Sequence, residues 1–224
     1  IKSYISCHSM IAKGDFIELH YTGKLLDGSV FDTTDEAIAK ESGIHSPRTK
    51  FGPTIICVGE KQLLPGLDAG LVGKKLGKHT IELQAQDAFG KRDVKKVKIV
   101  PSNQFKEHNL QPRPGLQVDV DGEIGTIKRV AGGRVIVNFN HPLAGREVVY
   151  DVDVVRKITD TKEQITTFLE TTLRLKPGLV KVEVQEGKAD VELPMQLPPT
   201  FLESLQEKMK GLVKVDVAIK GKKK

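Results

Sequence analysis

"GDFIELHYTGKLLDGSVFDTT" (residues 14–34) decides how this chain folds. Phe16, Ile17, Leu19, Tyr21 and Leu25 sit among polar residues at strand-like spacing, and Asp27-Gly28 follows them. Alternation at period two marks a strand, and Asp-Gly is the dipeptide that a tight hairpin turn demands. Val30-Phe31 resumes the strand, and Asp35 opens a short helix through Ala37, Ile38 and Ala39. Residues 43–53 read as a loop carrying Pro47 and Pro53, and residues 55–58 as a further strand.

Downstream, Leu63, Leu64, Leu67 and Leu71 recur at helical spacing, with Pro65 near the start and Gly73 as the stop. Ile81, Leu83 and Ala85 then alternate with Thr80, Glu82 and Gln84. Short strands around one helix predict an α+β domain, an antiparallel half-barrel sheet wrapped on that helix. From Lys91 the character changes. Basic residues surround Val97, Ile99 and Val100, a brief helix follows over residues 102–108, and Pro112, Pro114 and Gly115 form a link. Strands at 116–120, 125–130 and 134–139, joined by Asp121-Gly122 and Gly132-Gly133 turns, predict a small all-β module. A long strand at 148–155 then returns, with Tyr150, Val152 and Val154 on one side.

Residues 160–224 predict a separate α-β-β-α-β unit, an α/β sandwich. Asp160 with Glu163 suggests a capping box ahead of Ile165, Phe168 and Leu169. Val180, Val182 and Val184 alternate, as do Ala189, Val191 and Leu193 across a Glu186-Gly187 turn. Thr200 with Glu203 reads as the cap of a second helix, and Val213, Val215, Val217 and Ile219 as the last strand. Roughly 65 residues make a marginal independent core, so this unit is expected to dock or to self-associate, with a homodimer as one outcome. The domain boundaries are placed at 10–91 with 138–158, at 92–137, and at 159–224.

Composition narrows the function classes. Over 224 residues, 38% are hydrophobic and 29% charged, as in a globular protein. No apolar run approaches the ~18 residues that span a bilayer, so no membrane role is expected. Residues 1–9 lack the layout of a secretory signal, and with Met10 behind them they read as an extension or a tag remnant. Cys7 lies in that leader and Cys57 in an apolar run, so a buried inert thiol and a reducing cytoplasm are expected. The net charge of +6 comes partly from Lys220, Lys222, Lys223 and Lys224. No aromatic residues interleave with that tail, and nucleic-acid binding is not the expectation. The histidines at 8, 20, 45, 79, 108 and 141 have no metal-ligand spacing, and neither a metal nor a cofactor is expected. Asp151 and Asp153 read as a solvated strand face rather than an acid–base pair.

What remains is an apolar, aromatic set without a nucleophile. The stretch at 14–34, "GEKQLLPGLDAGLVGKKLG" (59–77), "DAFGKRD" (87–93) and "NHPLAG" (140–145) together resemble FKBP-type peptidyl-prolyl cis-trans isomerases. The last motif is similar to the SlyD branch, which carries a small β domain inserted in the flap, where the all-β module lies. The resemblance covers residues 14 to about 157, in family order and spacing. It implies that Tyr21, Asp32 and Phe89 are catalytic and that Phe31, Leu63, Leu64, Leu67, His141, Leu143 and Tyr150 bind substrate. Leu67 stands where many members have a Trp, and Phe89 where a flap Tyr is usual. On spacing alone Tyr21, Phe31 and Phe89 read rather as core aromatics and Asp32 as a turn cap, a reading that the ordered set of motifs reverses, while His141 suits either a loop hydrogen bond or pocket lining.

The implied activity is cofactor-free isomerisation of X-Pro bonds in unfolded or proline-containing polypeptides. The insert implies a holdase, with Val118, Val120, Ile127, Val135 and Val137 as an apolar groove, together with Ile124, Val130 and Ile136. The same side chains would otherwise fill the module's own core. The C-terminal unit resembles the extra domain of long archaeal FKBPs. A ribosome- or RNA-associated accessory protein is the alternative, because residues 115–140 also look like a small SH3-like barrel beside a basic tail.

Overall fold

The computed structural model describes residues 10–107, 109–185 and 187–221. Cys7, His8 and the rest of the leader, His108, Glu186 and the terminal Lys222, Lys223 and Lys224 lie outside the described residues. The elements run β1 (Phe16–Leu25), β2 (Val30–Thr33), α1 (Glu36–Glu41), β3 (Thr54–Cys57), α2 (Pro65–Leu71), β4 (Gly77–Leu83), β5 (Val97–Pro101) and α3 (Ser102–Glu107). They continue β6 (Gln117–Val120), β7 (Glu123–Ala131), β8 (Arg134–Asn138), β9 (Val148–Ile158), α4 (Thr161–Thr172), β10 (Lys181–Gln185), β11 (Lys188–Leu193), α5 (Pro199–Val213) and β12 (Asp216–Gly221). Contacts divide them into two units. One holds the residues up to Leu83 and from Val148 onward, the other Gln84–Glu147.

In the first unit an antiparallel sheet runs β2-β1-β9-β4, with β3 also paired to β1. The hairpin from β1 to β2 closes as Asp-Gly dictates: Gly28 takes φ +86° and its N–H donates to the Leu25 carbonyl, 2.9 Å. Asp35 caps α1 by accepting from the N–H of Ala37 and Ile38. Pro65 opens α2, where its missing N–H costs nothing. That helix packs on β4 so tightly that a Cβ on Gly70 would lie 2.9 Å from Ile81 Cγ2.

The C-terminal elements form a three-stranded sheet, β10-β11-β12, with β11 and β12 parallel, backed by α4 and α5. Asp160 caps α4, its carboxylate accepting from Glu163 N–H at 2.7 Å, while Glu163 turns outward to Arg156 rather than closing the box. The expected Thr200 cap is displaced. Pro199 pre-sets the first helical φ, so α5 begins two residues earlier than a Thr200 cap would place it, with no side-chain cap.

These elements do not build a core of their own. Ile165, Phe168, Leu169 and Met209 share one buried cluster with Phe16, Cys57 and Ile158 of the larger sheet. Phe16 meets Phe168 edge to face at 6.3 Å between centroids. Each such side chain contributes ~1.5–3 kcal/mol on burial, which is how a marginal ~65-residue unit is held. Arg156 on β9 bridges Glu18 (2.6 Å) and Glu163 (2.7 Å) beside the contact.

The second unit is a four-stranded antiparallel sheet, β5-β8-β7-β6. Asp121 and Gly122, and then Gly132 and Gly133, all take positive φ, the hairpin conformation expected there. The basic stretch around Val97 supplies β5, the fourth strand. Val118, Ile127, Val135 and Val137 are buried with Val100 and Phe105, and Val120 packs against them. The expectation that these five residues form an open groove is thereby corrected. Period-two alternation points them inward, and β5 and α3 contribute the side chains that close the core. Ile99, Ile124 and Ile136 alternate with buried neighbours and lie on the other face, with Ile99 and Ile124 exposed.

Candidate functional site

The site grows from one glycine. Gly23 on β1 stands opposite Tyr150 on β9, and β2 runs along its other side. With no side chain at 23, the rings of Phe31 and Tyr150 close over the strand. A Cβ there would lie 2.7 Å from Phe31 Cζ and 2.9 Å from Tyr150 Cε1. Phe31 meets Tyr150 edge-on at 5.8 Å, and Tyr21 meets it at 5.9 Å. Tyr150 is buried, and the faces of the three rings together form an apolar patch.

Tyr21 brings the polar function. Its backbone is clasped by two threonines: Thr34 Oγ1 accepts from Tyr21 N–H at 3.0 Å, and the Thr33 hydroxyl donates to the Tyr21 carbonyl at 3.2 Å. Its phenol hydrogen-bonds the Asp32 carboxylate. Burial first, and the adjacent Asp32 charge second, push the Tyr21 hydroxyl up to about 12. Burial also raises the Asp32 carboxyl above its usual range, against the lowering effect of the Tyr21 bond. Tyr150 moves up as well, chiefly through burial. All three groups therefore favour their neutral forms more than free side chains do.

The approach to α2 is built with equal care. Asp68 is buried, and its carboxylate accepts from Gly59 N–H (2.8 Å) and Lys61 N–H (3.2 Å). Gln62 Oε1 accepts from Cys57 N–H at 2.7 Å. These bonds hold the loop that delivers half-buried Leu63 and Leu64, and Leu67 follows fully buried in α2. Cys57 itself is buried and its thiol is pushed up to about 12 by that burial, as expected of an inert thiol.

Phe89, His141 and Leu143 belong to the second unit. Phe89 and His141 stack in parallel, 4.6 Å between centroids, and the His141 Nδ1 accepts from Leu143 N–H at 3.2 Å. His141 thus makes the loop hydrogen bond. Asn140 ties the two chain segments together, accepting from Asp93 N–H and donating to Asp93 O, both at 2.8 Å.

Of the residues singled out from sequence, Tyr21, Phe31, Asp32 and Tyr150 come together directly. Leu63, Leu64 and Leu67 lie in the same unit, and Phe89, His141 and Leu143 cluster in the other. Gly23, Asp68 and Asn140 were missed as individuals, although each sits inside a quoted motif. A buried acid following Leu67 is the kind of signal that could have found Asp68. Among the described residues, no three His, Cys, Asp or Glu side chains gather as metal ligands.

The family model for FKBP-type peptidyl-prolyl cis-trans isomerase matches residues 7–106, and that for the FKBP26 IF domain matches residues 98–143. A short-type peptidyl-prolyl cis-trans isomerase of Methanocaldococcus jannaschii is 29% identical over 147 residues, covering 65% of this chain and 93% of the relative. A probable FKBP-type 16 kDa peptidyl-prolyl cis-trans isomerase of Pseudomonas fluorescens is 31% identical over 152 residues, 65% of this chain and 90% of its own. The SlyD isomerase of Pasteurella multocida is 28% identical over 160 residues, 69% of this chain and 73% of its own.

Proposed function

This chain belongs to the FKBP-type peptidyl-prolyl cis-trans isomerase family, and from that premise we propose that it isomerises X-Pro bonds by binding the twisted amide at the Tyr21–Phe31–Tyr150 patch. The observation that carries the reading is the closure of Phe31 and Tyr150 over Gly23, beside the Tyr21–Asp32 pair. An X-Pro bond is nearly indifferent between cis and trans, yet its barrier is ~18–20 kcal/mol because rotation breaks amide resonance. The twisted amide is less dipolar than the planar one, so an apolar aromatic wall favours it. No covalent step is required, only tighter binding of the transition state than of either planar form.

Tyr21 has one proton, and in the free protein it points to Asp32. On binding, that proton turns from Asp32 to the peptide carbonyl, while the Thr33 and Thr34 bonds to the Tyr21 backbone keep the residue in place. The second unit holds unfolded clients on the outer sheet face of Ile99, Ile124 and Ile136, where Ile99 and Ile124 are 63% and 70% exposed. A homodimer would use the edge strands β10 or β12, since the outer face of that sheet carries Lys181, Glu183, Asp190 and Glu192. The free, buried Cys57 suits a reducing cytoplasm.

The test is prolyl relaxation of a short X-Pro peptide by the intact chain and by Tyr21→Phe, Phe31→Ala and Tyr150→Ala. Loss of kcat/KM by about tenfold for Tyr21→Phe, and by more for the other two, is expected. Unchanged rates in all three would refute the site.

A further inference from the structure

We propose that the C-terminal domain completes the substrate groove: α4 and the segment after it form a subsite for the polypeptide flanking the isomerised proline. The inference rests on the isomerase site placed at Tyr21, Phe31 and Tyr150.

A cavity of about 510 Å³ opens beside that site, and Tyr21 and Asp32 line it. One wall is the loop ahead of β3, including Phe51. The opposite wall is Thr167, Thr171 and Leu175, all contributed by the C-terminal domain. Its size falls within the ~300–1,000 Å³ of ligand sites. The occupant follows from continuity. Tyr21 and Asp32 are shared with the prolyl site, so a chain whose proline sits on the aromatic patch can run on into this groove. The lining suits an extended backbone, with threonine hydroxyls able to donate to or accept from peptide groups and apolar surface from Phe51 and Leu175 between them. The opposite wall is fixed, not loosely tethered. Ile165 and Leu169 of α4 are fully buried, Phe168 packs on Phe16, and Glu170 Oε1 accepts from Gly178 N–H at 2.6 Å, holding the segment beyond Leu175.

The experiment compares kcat/KM for a tetrapeptide containing one X-Pro bond with that for a longer peptide extended on both sides of the same bond. The full chain and Thr171→Trp are assayed, with Lys162→Trp, an exposed position on α4 outside the groove, as control. Wild type and Lys162→Trp should prefer the longer peptide, and Thr171→Trp should cut that preference by about tenfold, a ~1.4 kcal/mol difference. In parallel, the methyl resonances of Thr167 and Thr171 should shift on adding the longer peptide and not the tetrapeptide. Equal turnover of both peptides by wild type and Thr171→Trp, or silent methyls, would overturn the subsite while leaving the isomerase site standing. Failure of wild type on both peptides would remove the premise, and the subsite with it.

Discussion

Replacing Gly23 by alanine places a methyl carbon 2.7 Å from Phe31 Cζ and 2.9 Å from Tyr150 Cε1. Carbon atoms pack best at ~3.5–4.0 Å, so one or both rings must retreat by about 0.8 Å or more. Both are held by neighbours: Tyr150 is 3% exposed within the central strand, and Phe31 leans edge-on against it. Overpacking of this kind costs about 1–3 kcal/mol. The larger effect should be on rate, since a displacement near 1 Å in a binding site can cost ~10²-fold. The expected outcome for Gly23→Ala is a folded protein with a lowered urea midpoint, unchanged m-value and kcat/KM reduced ten- to a hundredfold (roughly, from the same argument). The double change Gly23→Ala with Phe31→Leu relieves the Phe31 half of the clash, leaves the one with Tyr150, and should recover part of the stability without recovering activity, because the Phe31 ring is gone. Full activity in Gly23→Ala would show that the Phe31–Tyr150 closure is packing alone, and the catalytic role given to these rings would fall.

Other consequences follow from single groups. In a Tyr4→Phe background only Tyr21 and Tyr150 titrate, so tyrosinate absorbance should be absent through pH 10 and appear only near pH 12 and above. Because folding raises the Tyr21 pKa, its contribution to stability is complete below pH 10 and is lost as pH climbs to about 12, and isomerase activity should stay level across pH 10. Tyrosinate absorbance appearing at pH 10 would contradict the burial argument. Asp68→Ala leaves the Gly59 and Lys61 N–H groups without their acceptor and should cost about 2–4 kcal/mol in urea unfolding. Phe168→Ala removes the ring packed on Phe16 and should cost about 3–5 kcal/mol, with faster amide exchange in α4 as the local readout.

Much of the fold was legible because local chemistry and tertiary placement agree. Asp27-Gly28, Asp35, Pro65 and Asp160 each do in the structure what their residue type demands in isolation. The insert's turns were equally plain, but its groove was not. Counting apolar residues on candidate strands says nothing about which face is covered, and the covering came from β5 and Phe105, neither of which had been assigned to the sheet. Docking of the C-terminal domain carried a signal that went unused. Phe16-Ile17 and the run Ile55 to Val58 break alternation because the strands there are buried on both faces, Phe16 and Cys57 facing the C-terminal core. The aromatic site came from ordered motifs, while Gly23 acquires meaning only when β2 and β9 bring two distant rings over it.

The central claim is that the first unit isomerises and the second extends that activity to unfolded chains. Its most direct test measures prolyl relaxation of a short peptide and of a proline-limited refolding protein. The intact chain is compared with one in which residues 94–139 are replaced by a short turn, retaining the Asp93–Asn140 pair. Both rates should be accelerated by the intact chain, and the shortened chain should keep the peptide activity while losing most of its effect on refolding. Equal acceleration of refolding by both proteins would contradict the division of labour, and no acceleration of either substrate by the intact chain would contradict the account at its root.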